Sequence, residues 1–512
     1  RRRARKSKKH SEGTPAIMSA EQADVQEQVS LQNNTVDDPT FGPQPIDPET
    51  GERLFRLPVD EKHRAFKMQP WRFDRPHMRA FFFAWSHFFI AFFGWFAVAP
   101  LMTTIKEDEK LGLGTKKARG NSNVIAVSGT ILMRLIIGPF SDRYGPRVAS
   151  AGLMTIFSLP VYLIGTAQNY ASFCTARFFI GFLGATFVVT QYWTSIMFAP
   201  LIVGTANATS AGWGNLGGGV TNALMPQFFN MFVAFGLTEQ QAWRVAMVIP
   251  GTMALAVGVL LYFFSDDSPD GNFRDLHMSG AKQKTNPWLA MKRASVNGRS
   301  WILHLLYATC FGVELIMNNN LASYFTEEFG LSQGTAGLVA SLFGLMNLFA
   351  RSLGGIASDY FSKRFGMTGR LWVFFIVEFV EGLFLLLFSR LRVLGAAIAA
   401  LIAFSTCVQM AEGATFGVVP FVDPVATGAV SGIVGAGGNV GAMTLGLLFA
   451  NFDGPEAMLY LSFVVIGVSF LVFPLMWGPL KVIDTESGRA VAAGKEIDDE
   501  LVESRSSVSV AA

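Results

Sequence analysis

Hydrophobic residues along this chain come in twelve long runs separated by short polar stretches. Each run has roughly 20 residues or more, the length that an α-helix needs to cross the hydrocarbon core of a bilayer. The runs cover residues 80–102, 122–141, 149–167, 171–196, 204–232, 243–264, 301–325, 335–357, 371–389, 393–418, 426–450 and 457–479. The pattern therefore predicts an all-α integral membrane protein with twelve transmembrane helices.

The polar parts of the chain divide these helices into two sets of six. Residues 1–78 are rich in charge and proline and begin RRRARKSKKH, so we expect a disordered tail. We predict a first six-helix bundle over residues 79–264, a central loop over 265–299, a second bundle over 300–480 and a polar tail over 481–512.

The positions of Lys and Arg predict which loops face the cytoplasm. The turns SDRYGPR (141–147) and SKRFGMTGR (362–370) would lie on the same side as both tails and the central loop, and the positive-inside rule makes that side cytoplasmic. The first connection, KEDEKLGLGTKKARGN (106–121), carries five Lys or Arg residues and disagrees, so the majority of the loops decides. No signal peptide or organelle address is evident, and we expect a multi-pass protein of the plasma membrane.

Composition excludes several other classes of protein. Hydrophobic residues make up 51% of the chain and charged residues 15%, with 47 Phe and 51 Gly, as in helices that face lipid and pack through small residues. A net charge of +3, with basic residues in tails and loops, argues against a nucleic-acid partner. No metal-ligand cluster, nucleophile triad or phosphate-binding loop appears in the sequence, so we predict neither an enzyme nor a cofactor.

The two halves of the chain repeat each other. The second helix contains RLIIGPFSD (134–142) and the eighth contains RSLGGIASD (351–359), which share the pattern R-x3-G-x3-D. The fifth contains GWGNLGGGVTNALMP (212–226) and the eleventh GAGGNVGAMTLG (435–446), each with an Asn-x-Gly core. Both matches are shifted by six helices, so we expect two pseudo-symmetric bundles with the functional site between them.

Arg134 and Arg351 are the most informative residues. Each lies eight residues before Asp142 or Asp359 at a helix end, about 12 Å along the helix, and half the hydrocarbon core is about 15 Å. A charge facing lipid there would cost at least ~3 kcal/mol, so both side chains should face the interior. Each could be tied to a buried carboxylate or to helix carbonyls. Neither helix offers an interior acid, however, and the pair favours a planar oxyanion that matches the guanidinium fork.

The glycine-rich helices have two interpretations. Gly212, Gly214 and Gly217 form a G-x-G-x-x-G pattern, but no strand precedes it and no ribose-binding acid follows, so we reject a dinucleotide site. We predict that the glycines let helices approach closely; they are Gly212, Gly214, Gly217, Gly218, Gly435, Gly437, Gly438 and Gly441. Asn215 and Asn439 could bind an anion or form interhelical hydrogen bonds, and the sequence leaves both open.

Charged residues at the helix ends predict a conformational element. We expect the charges of this element to latch neighbouring helix ends and to release them when the conformation changes; its residues are Gly138, Asp142, Arg143, Gly145, Arg147 and Asp359. Four carboxylates lie inside the apolar runs: Glu314, Glu378, Glu381 and Glu412. They could relay protons or could neutralise a buried cation such as Arg177.

These motifs resemble a known family. The two sets of six helices and residues 138–147 resemble the major facilitator superfamily. AGWGNLGGGVTNALMP (211–226) and GIVGAGGNVGAM (432–443) look like the two signatures of its nitrate/nitrite porter family, and especially of the eukaryotic high-affinity nitrate transporters. Further support comes from ATFVVTQYW (185–193), GVELIMNNN (312–320), FARSLGG (349–355) and ATFGVVPFV (414–422).

The resemblance implies roles for particular residues. Arg134 and Arg351 match the arginines that clamp nitrate in that family. The other matches are polar partners of the anion and aromatic walls of its site; they are Tyr307, Asn215, Asn439, Phe187 and Phe96. The family moves by rocking its two halves about this site. Some members need a small accessory membrane protein, but the basic start of this chain and its first external loop depart from the plant pattern and leave that docking open.

Energetics predict a coupled ion. Moving one anion into a cell at about −100 mV costs about 2.3 kcal/mol, and two protons per nitrate would reverse the sign of the charge that moves. Accumulation therefore needs a second ion. The resemblance to the eukaryotic members implies proton symport, with Glu314 as the candidate for the residue linked to protons. The alternatives are a nitrate/nitrite exchanger, a nitrate sensor on a transporter fold, and a transporter of another anion such as phosphate.

Overall fold

The computed structural model describes residues 44–46, 53–331 and 333–482. Most of the two predicted tails lies outside the described residues. The few described residues up to Leu54 belong to a separate unit, in which Ile46 and Arg53 pair in an antiparallel bridge. All that follows concerns the second unit, which begins at Phe55.

Twelve membrane-length helices occur in the described part of the chain. Nine stretches are long and apolar enough to cross a membrane, and one of these is two helices that meet at Gly366, where φ is +62°. Two glycine-rich helices, which are less apolar, complete the set. In chain order they are α1 (His77–Ile105), α2 (Lys117–Tyr144), α3 (Pro146–Thr166), α4 (Tyr170–Met197), α5 (Val203–Ala234), α6 (Glu239–Phe264), α7 (Gly298–Phe329), α8 (335–365), α9 (367–390), α10 (Leu394–Phe421), α11 (Thr427–Leu445) and α12 (Gly454–Met476).

The packing of these helices repeats with a shift of six. Within the first half α1 packs on α5 and α3 on α6; within the second half α7 packs on α11 and α9 on α12. Between the halves α2 packs on α11, and α8 packs on α5. The predicted all-α fold with two pseudo-symmetric halves is confirmed, and the most extensive packing between the halves involves the glycine-rich helices α5 and α11.

Glycines let the two halves touch at one end of the molecule. A Cβ atom on Gly138 would overlap the carbonyl oxygen of Gly428, and one on Gly355 would overlap that of Gly204. Both contacts lie at the end that carries residues 141–147, here called the motif end. In this conformation the two halves are therefore closed against each other at the motif end.

The segment before α1 is packed rather than disordered. Ala65 donates its backbone N–H to Met197 (3.0 Å) and accepts from that of Ala199 (2.9 Å) at the end of α4. Its buried side chains are Phe55, Leu57, Val59, Ala65 and Phe66. The predicted disordered tail over residues 1–78 is thus wrong for residues 55–76, because these apolar side chains gain burial against the first half.

The central connection contains two short helices that the sequence analysis did not predict. Phe273–Met278 and Pro287–Val296 lie between α6 and α7, and the second packs on α2 and α11. An ion pair joins Arg293 of this helix to Asp423, which lies just before α11. The connection therefore spans both halves at the motif end.

Candidate anion-binding site

Arg134 of α2 and Arg351 of α8 converge on one aromatic ring. Both side chains are fully buried, and their Cζ atoms lie 5.0 and 5.5 Å from the ring centroid of Phe187 in α4. A guanidinium gains from the negative face of an aromatic ring, most of all away from water. Two buried cations, one from each half, therefore lie beside the same ring in the interior. The sequence analysis predicted that both would face the interior.

Among the described residues, the charge of Arg134 is surrounded by backbone carbonyl dipoles and aromatic ring faces rather than by an acid. Its Nε and Nη2 donate to the carbonyl oxygen of Gly184 at 3.2 and 3.1 Å, and Nη1 donates to that of Gly435. Among the described residues no carboxylate forms an ion pair with it. Arg134 therefore keeps a net positive charge in an apolar setting, which attracts an anion.

Arg351 has an acidic partner, contrary to the sequence-based expectation. Its Nη1 forms an ion pair with the Glu412 carboxylate of α10, and its Nη2 donates to the Tyr307 hydroxyl at 3.0 Å. Its Nε has no hydrogen-bond partner among the described residues. The expectation that neither arginine has a matched acid is wrong for Arg351, because the acid comes from a third helix whose facing side the sequence does not reveal.

Arg177 uses other partners than the buried carboxylates suggested for it. Its Nη1 donates to the Ser122 hydroxyl at 3.0 Å and to the Asn123 side-chain oxygen at 2.7 Å. Arg177 therefore forms no described ion pair with the four intramembrane glutamates. Of these four, Glu412 is the one that pairs with a buried arginine, namely Arg351.

A second polar layer joins α5, α7 and α8 beside Arg351. Glu314 accepts hydrogen bonds from the side-chain amides of Asn347 (2.7 Å) and Asn215 (3.3 Å). All three are buried, so the amides compensate a carboxylate that has lost its water. The sequence analysis missed Asn347, although it lies four residues before Arg351 and so on the same helix face.

Asn439 differs from its counterpart Asn215. Its side chain is fully buried, and neither of its amide atoms has a hydrogen-bond partner among the described residues. It lies one turn after Gly435, the residue that accepts from Arg134. A buried unpaired amide costs about 1–3 kcal/mol, so Asn439 places unused hydrogen-bonding capacity beside the arginine that lacks an acid.

Aromatic rings surround the two arginines. Phe187 lies parallel to Tyr307 (5.9 Å, 10°) and to Phe311 (6.2 Å, 4°). Phe88 of α1 packs against it at 5.6 Å, whereas Phe96, two turns further on, contacts Phe92 and Trp95 instead. The structure thus brings Phe187 and Tyr307 to the arginines and leaves Phe96 outside this group.

The signature glycines are packing positions. For six of the eight, an added Cβ would come closer than any real one to atoms of α1, α7 or α8; these six are Gly212, Gly214, Gly217, Gly437, Gly438 and Gly441. Gly218 and Gly435 have slightly more room, with Phe96 at 3.2 Å and Val188 at 3.3 Å. Their absence of side chains brings α5 and α11 against their neighbours around the arginines.

The sequence matches the Major Facilitator Superfamily over residues 84–443, well over half of the chain. The chain belongs to this superfamily. It is 42% identical over 400 residues to "High affinity nitrate transporter 2.5" of Arabidopsis thaliana, covering 78% of this chain and 79% of that protein. It is 39% identical over 446 residues to "Nitrate transporter 2.2" of Chlamydomonas reinhardtii, covering 84% and 86%. Within the superfamily it is thus a member of the nitrate/nitrite porter family.

A solved structure agrees on the fold. The Escherichia coli fucose:proton symporter FucP has a TM-score of 0.58 and 13% sequence identity, covering 78% of this chain and 99% of that one. At that identity the likeness shows the fold alone. Members of the superfamily are membrane transporters, so the chain is a transporter rather than an enzyme, as the sequence predicts.

In this member of the superfamily, the two aspartates of the repeated R-x3-G-x3-D pattern form two matching latches at the motif end. Asp142 of α2 accepts from the backbone N–H groups of Gly428 (2.9 Å) and Ala429 (3.0 Å) in the first turn of α11. Asp359 of α8 accepts from those of Gly204 (3.1 Å) and Thr205 (2.6 Å) in the first turn of α5. Each carboxylate thus binds the positive end of a helix from the other half.

The other motif residues hold the central connection. Arg147 donates its backbone N–H to Asp267 at 2.8 Å, and Arg143 donates from its guanidinium to the carbonyl oxygen of Thr285 at 3.2 Å. Burial raises the pKa of Asp267 to about 6. Gly145 has a φ of +91°, which favours glycine, and it turns the chain from α2 into α3 directly against Asp267.

Proposed function

We propose that this transporter carries nitrate across the plasma membrane, with Arg134 and Arg351 binding the anion. The observation that carries the proposal is the meeting of two buried guanidinium groups, one from each half, at the ring of Phe187. The two plant and algal relatives, named as nitrate transporters, support nitrate over other anions.

The site suits a small planar oxyanion. A nitrate lying along the aromatic stack of Phe187 and Tyr307 would offer oxygens to both guanidinium groups, and the free amide of Asn439 would supply a further donor. Electrostatic attraction is strong there because water is excluded. Nitrite is also planar and has two oxygens for the same fork, so it is the second substrate to test.

Transport would follow from rocking the halves about this site. The motif end, which we assign to the cytoplasm from its basic loops, is closed by the Asp142 and Asp359 latches. Releasing both latches would open that end while the opposite end closes. Because each half supplies one arginine, the anion itself would join the two halves during the change.

Accumulation of an anion against the membrane potential requires a second ion, and we propose protons. Bringing in one nitrate at about −100 mV costs about 2.3 kcal/mol before any concentration gradient. Glu314, held by two amides beside Arg351, is a candidate for a proton-linked residue. A nitrate/nitrite exchanger would need no such residue.

The test is nitrate uptake and current in voltage-clamped oocytes, with and without a candidate accessory membrane protein. We compare the wild type with Arg134→Lys, Arg351→Lys and, as control, Arg392→Lys, whose exposed side chain pairs with Glu328. Lysine keeps the charge but loses the fork, so both site variants should lose tenfold or more of the nitrate uptake while the control keeps it.

The outcomes separate the competing functions. An inward current that grows at acid external pH supports proton symport, and uptake without current points to exchange for nitrite. Binding of nitrate to the purified protein without any transport would indicate a sensor. Transport of phosphate or another anion in place of nitrate would overturn the assignment.

A further inference from the structure

We propose that Glu412 carries the coupling proton, by giving up its place on Arg351 to the transported anion when it is protonated. This inference rests on the proposed function, since it assumes that nitrate binds Arg351. The inference concerns Glu412 rather than Glu314, and it assigns Glu412 a defined step, the release of Arg351 on protonation.

The argument starts from the occupied guanidinium. Of the nitrogen atoms of Arg351, Nη1 is paired with Glu412, Nη2 donates to Tyr307, and only Nε has no partner among the described residues. An incoming anion therefore competes with the Glu412 carboxylate for the same fork. Within the described part of the chain Arg134 has no such competitor, since its hydrogen bonds go to carbonyl oxygens.

Breaking the ion pair between ionised Glu412 and Arg351 would cost free energy. Both side chains are fully buried, and separating them would leave an unpaired negative charge in the interior. Protonation removes that charge. Neutral Glu412 can release the guanidinium, and its carboxyl group then becomes a hydrogen-bond donor that can bind the anion or a neighbouring acceptor.

The groups around Glu412 favour the protonated form of its carboxyl group once Arg351 binds another anion. Arg351 is the cation that pairs with it, and Glu314 of α7 and Glu381 of α9 are acids whose charges act on it. Tyr307 and Cys310 of α7 are the other titratable groups near it. The Oε1 atom of Glu412 has no hydrogen-bond partner among the described residues, so it offers a place for the proton.

The charges balance in this exchange. In the empty transporter Arg351 and Glu412 are neutral as a pair. One proton adds to the Glu412 carboxylate and one nitrate adds to Arg351, both from the side to which the site is open, and the total charge is unchanged. When nitrate leaves on the other side, the proton leaves Glu412 and the ion pair forms again. A second proton, for which Glu314 is placed, would make the cycle carry net positive charge inward.

The test uses Glu412→Gln in proteoliposomes, with Glu378→Gln as matched control. Glu378 is an equally buried acid that accepts from the Thr309 hydroxyl at 2.6 Å and does not contact Arg351. Two activities are measured: exchange of labelled for unlabelled nitrate, and nitrate accumulation driven by a proton gradient. Glu412→Gln should keep exchange, at a rate that no longer depends on pH, and should lose tenfold or more of the accumulation. The control should keep both.

Two results with Glu412→Gln would overturn the inference. One is proton-driven accumulation equal to that of the wild type. The other is loss of exchange together with accumulation in a variant whose thermal unfolding is unchanged, because Glu412 would then only position Arg351. If the wild type exchanges no nitrate, the proposed function fails as well, which distinguishes the two failures.

A second measurement needs no variant. Nitrate added to purified wild-type protein in weak buffer should draw protons from solution, since the bound state carries a proton that the empty state lacks. Nitrate binding without a change in pH would also overturn the inference.

Discussion

The two halves of the molecule use equivalent arginines in different ways. Arg134 donates to the carbonyl oxygens of Gly184 and Gly435, which are not titratable groups. Arg351 pairs with Glu412, so the charge at its position depends on whether that acid holds a proton. The repeat places the two cations, and if Glu412 acts as we propose, Arg351 is the one whose partner changes when a proton binds.

The two latches show the same difference as the two arginines: the latch of the second half contains an ion pair. Asp142 and Asp359 both bind the first turn of a helix in the opposite half, but Asp359 also pairs with Arg370 at 2.6 Å. Among the described residues Asp142 has no such ion pair. The second half therefore carries the buried ion pairs in both the site and the latch, and the first half relies on backbone dipoles.

The largest effect should come from breaking the charged latch. Asp359→Asn leaves Arg370 buried without its carboxylate, so it should reduce the free energy of unfolding by about 3–5 kcal/mol. Asp142→Asn removes only charge-assisted capping bonds and should cost about 1 kcal/mol. Thermal unfolding of the purified proteins in detergent would measure both. Equal losses would contradict the difference between the latches.

A smaller and symmetric effect is expected where the halves touch. Val at Gly138 or Gly355 would press on the backbone of the other half and should destabilise the closed motif end by about 1–3 kcal/mol. Distances between spin labels across that end should lengthen in both variants. Gly152→Val is the control, since a Cβ there meets nothing within 4 Å. A change in only one variant would show that the two contacts are unequal.

The smallest effect on stability should separate the two asparagines. Asn215→Leu removes donors to Glu314 and Asn347 and should cost about 1 kcal/mol of unfolding free energy. Asn439→Leu breaks no hydrogen bond to the described residues and removes a buried unpaired amide, so the free energy of unfolding should stay the same or rise, while the apparent affinity for nitrate falls severalfold. Thermal unfolding and concentration-dependent uptake test this. A clear loss of stability in Asn439→Leu would indicate a structural partner.

Much of this architecture could be predicted from the sequence because it depends on local length and spacing. The first apolar run, 80–102, lies within His77–Ile105, and the eleventh, 426–450, contains Thr427–Leu445. Arg134 and Arg351 meet because two copies of one motif hold them at equal distances from their helix ends.

Other features depend on which sides of two helices pack together. Residue spacing along a single helix does not reveal that. The sequence identified Glu412 as an intramembrane acid. Its pairing with Arg351 could not be predicted, because the two residues are 61 positions apart and lie on different helices. Phe88 rather than Phe96 contacts Phe187 because of where α1 crosses α4. The packed segment before α1 did leave a signal: Phe55, Leu57 and Val59 alternate with other residues, a strand-like period that the polar composition of the tail obscured.

That segment also has a consequence for how the protein is made. His63 contacts Asp270 at 2.5 Å across 207 residues of sequence, and Ala65 hydrogen-bonds to the end of α4. The ribosome therefore releases residues 55–76 long before these partners exist: the end of α4 follows after four helices, and Asp270 only after six. A fusion attached ahead of it should leave assembly intact, whereas a truncation into it would remove part of the finished first half.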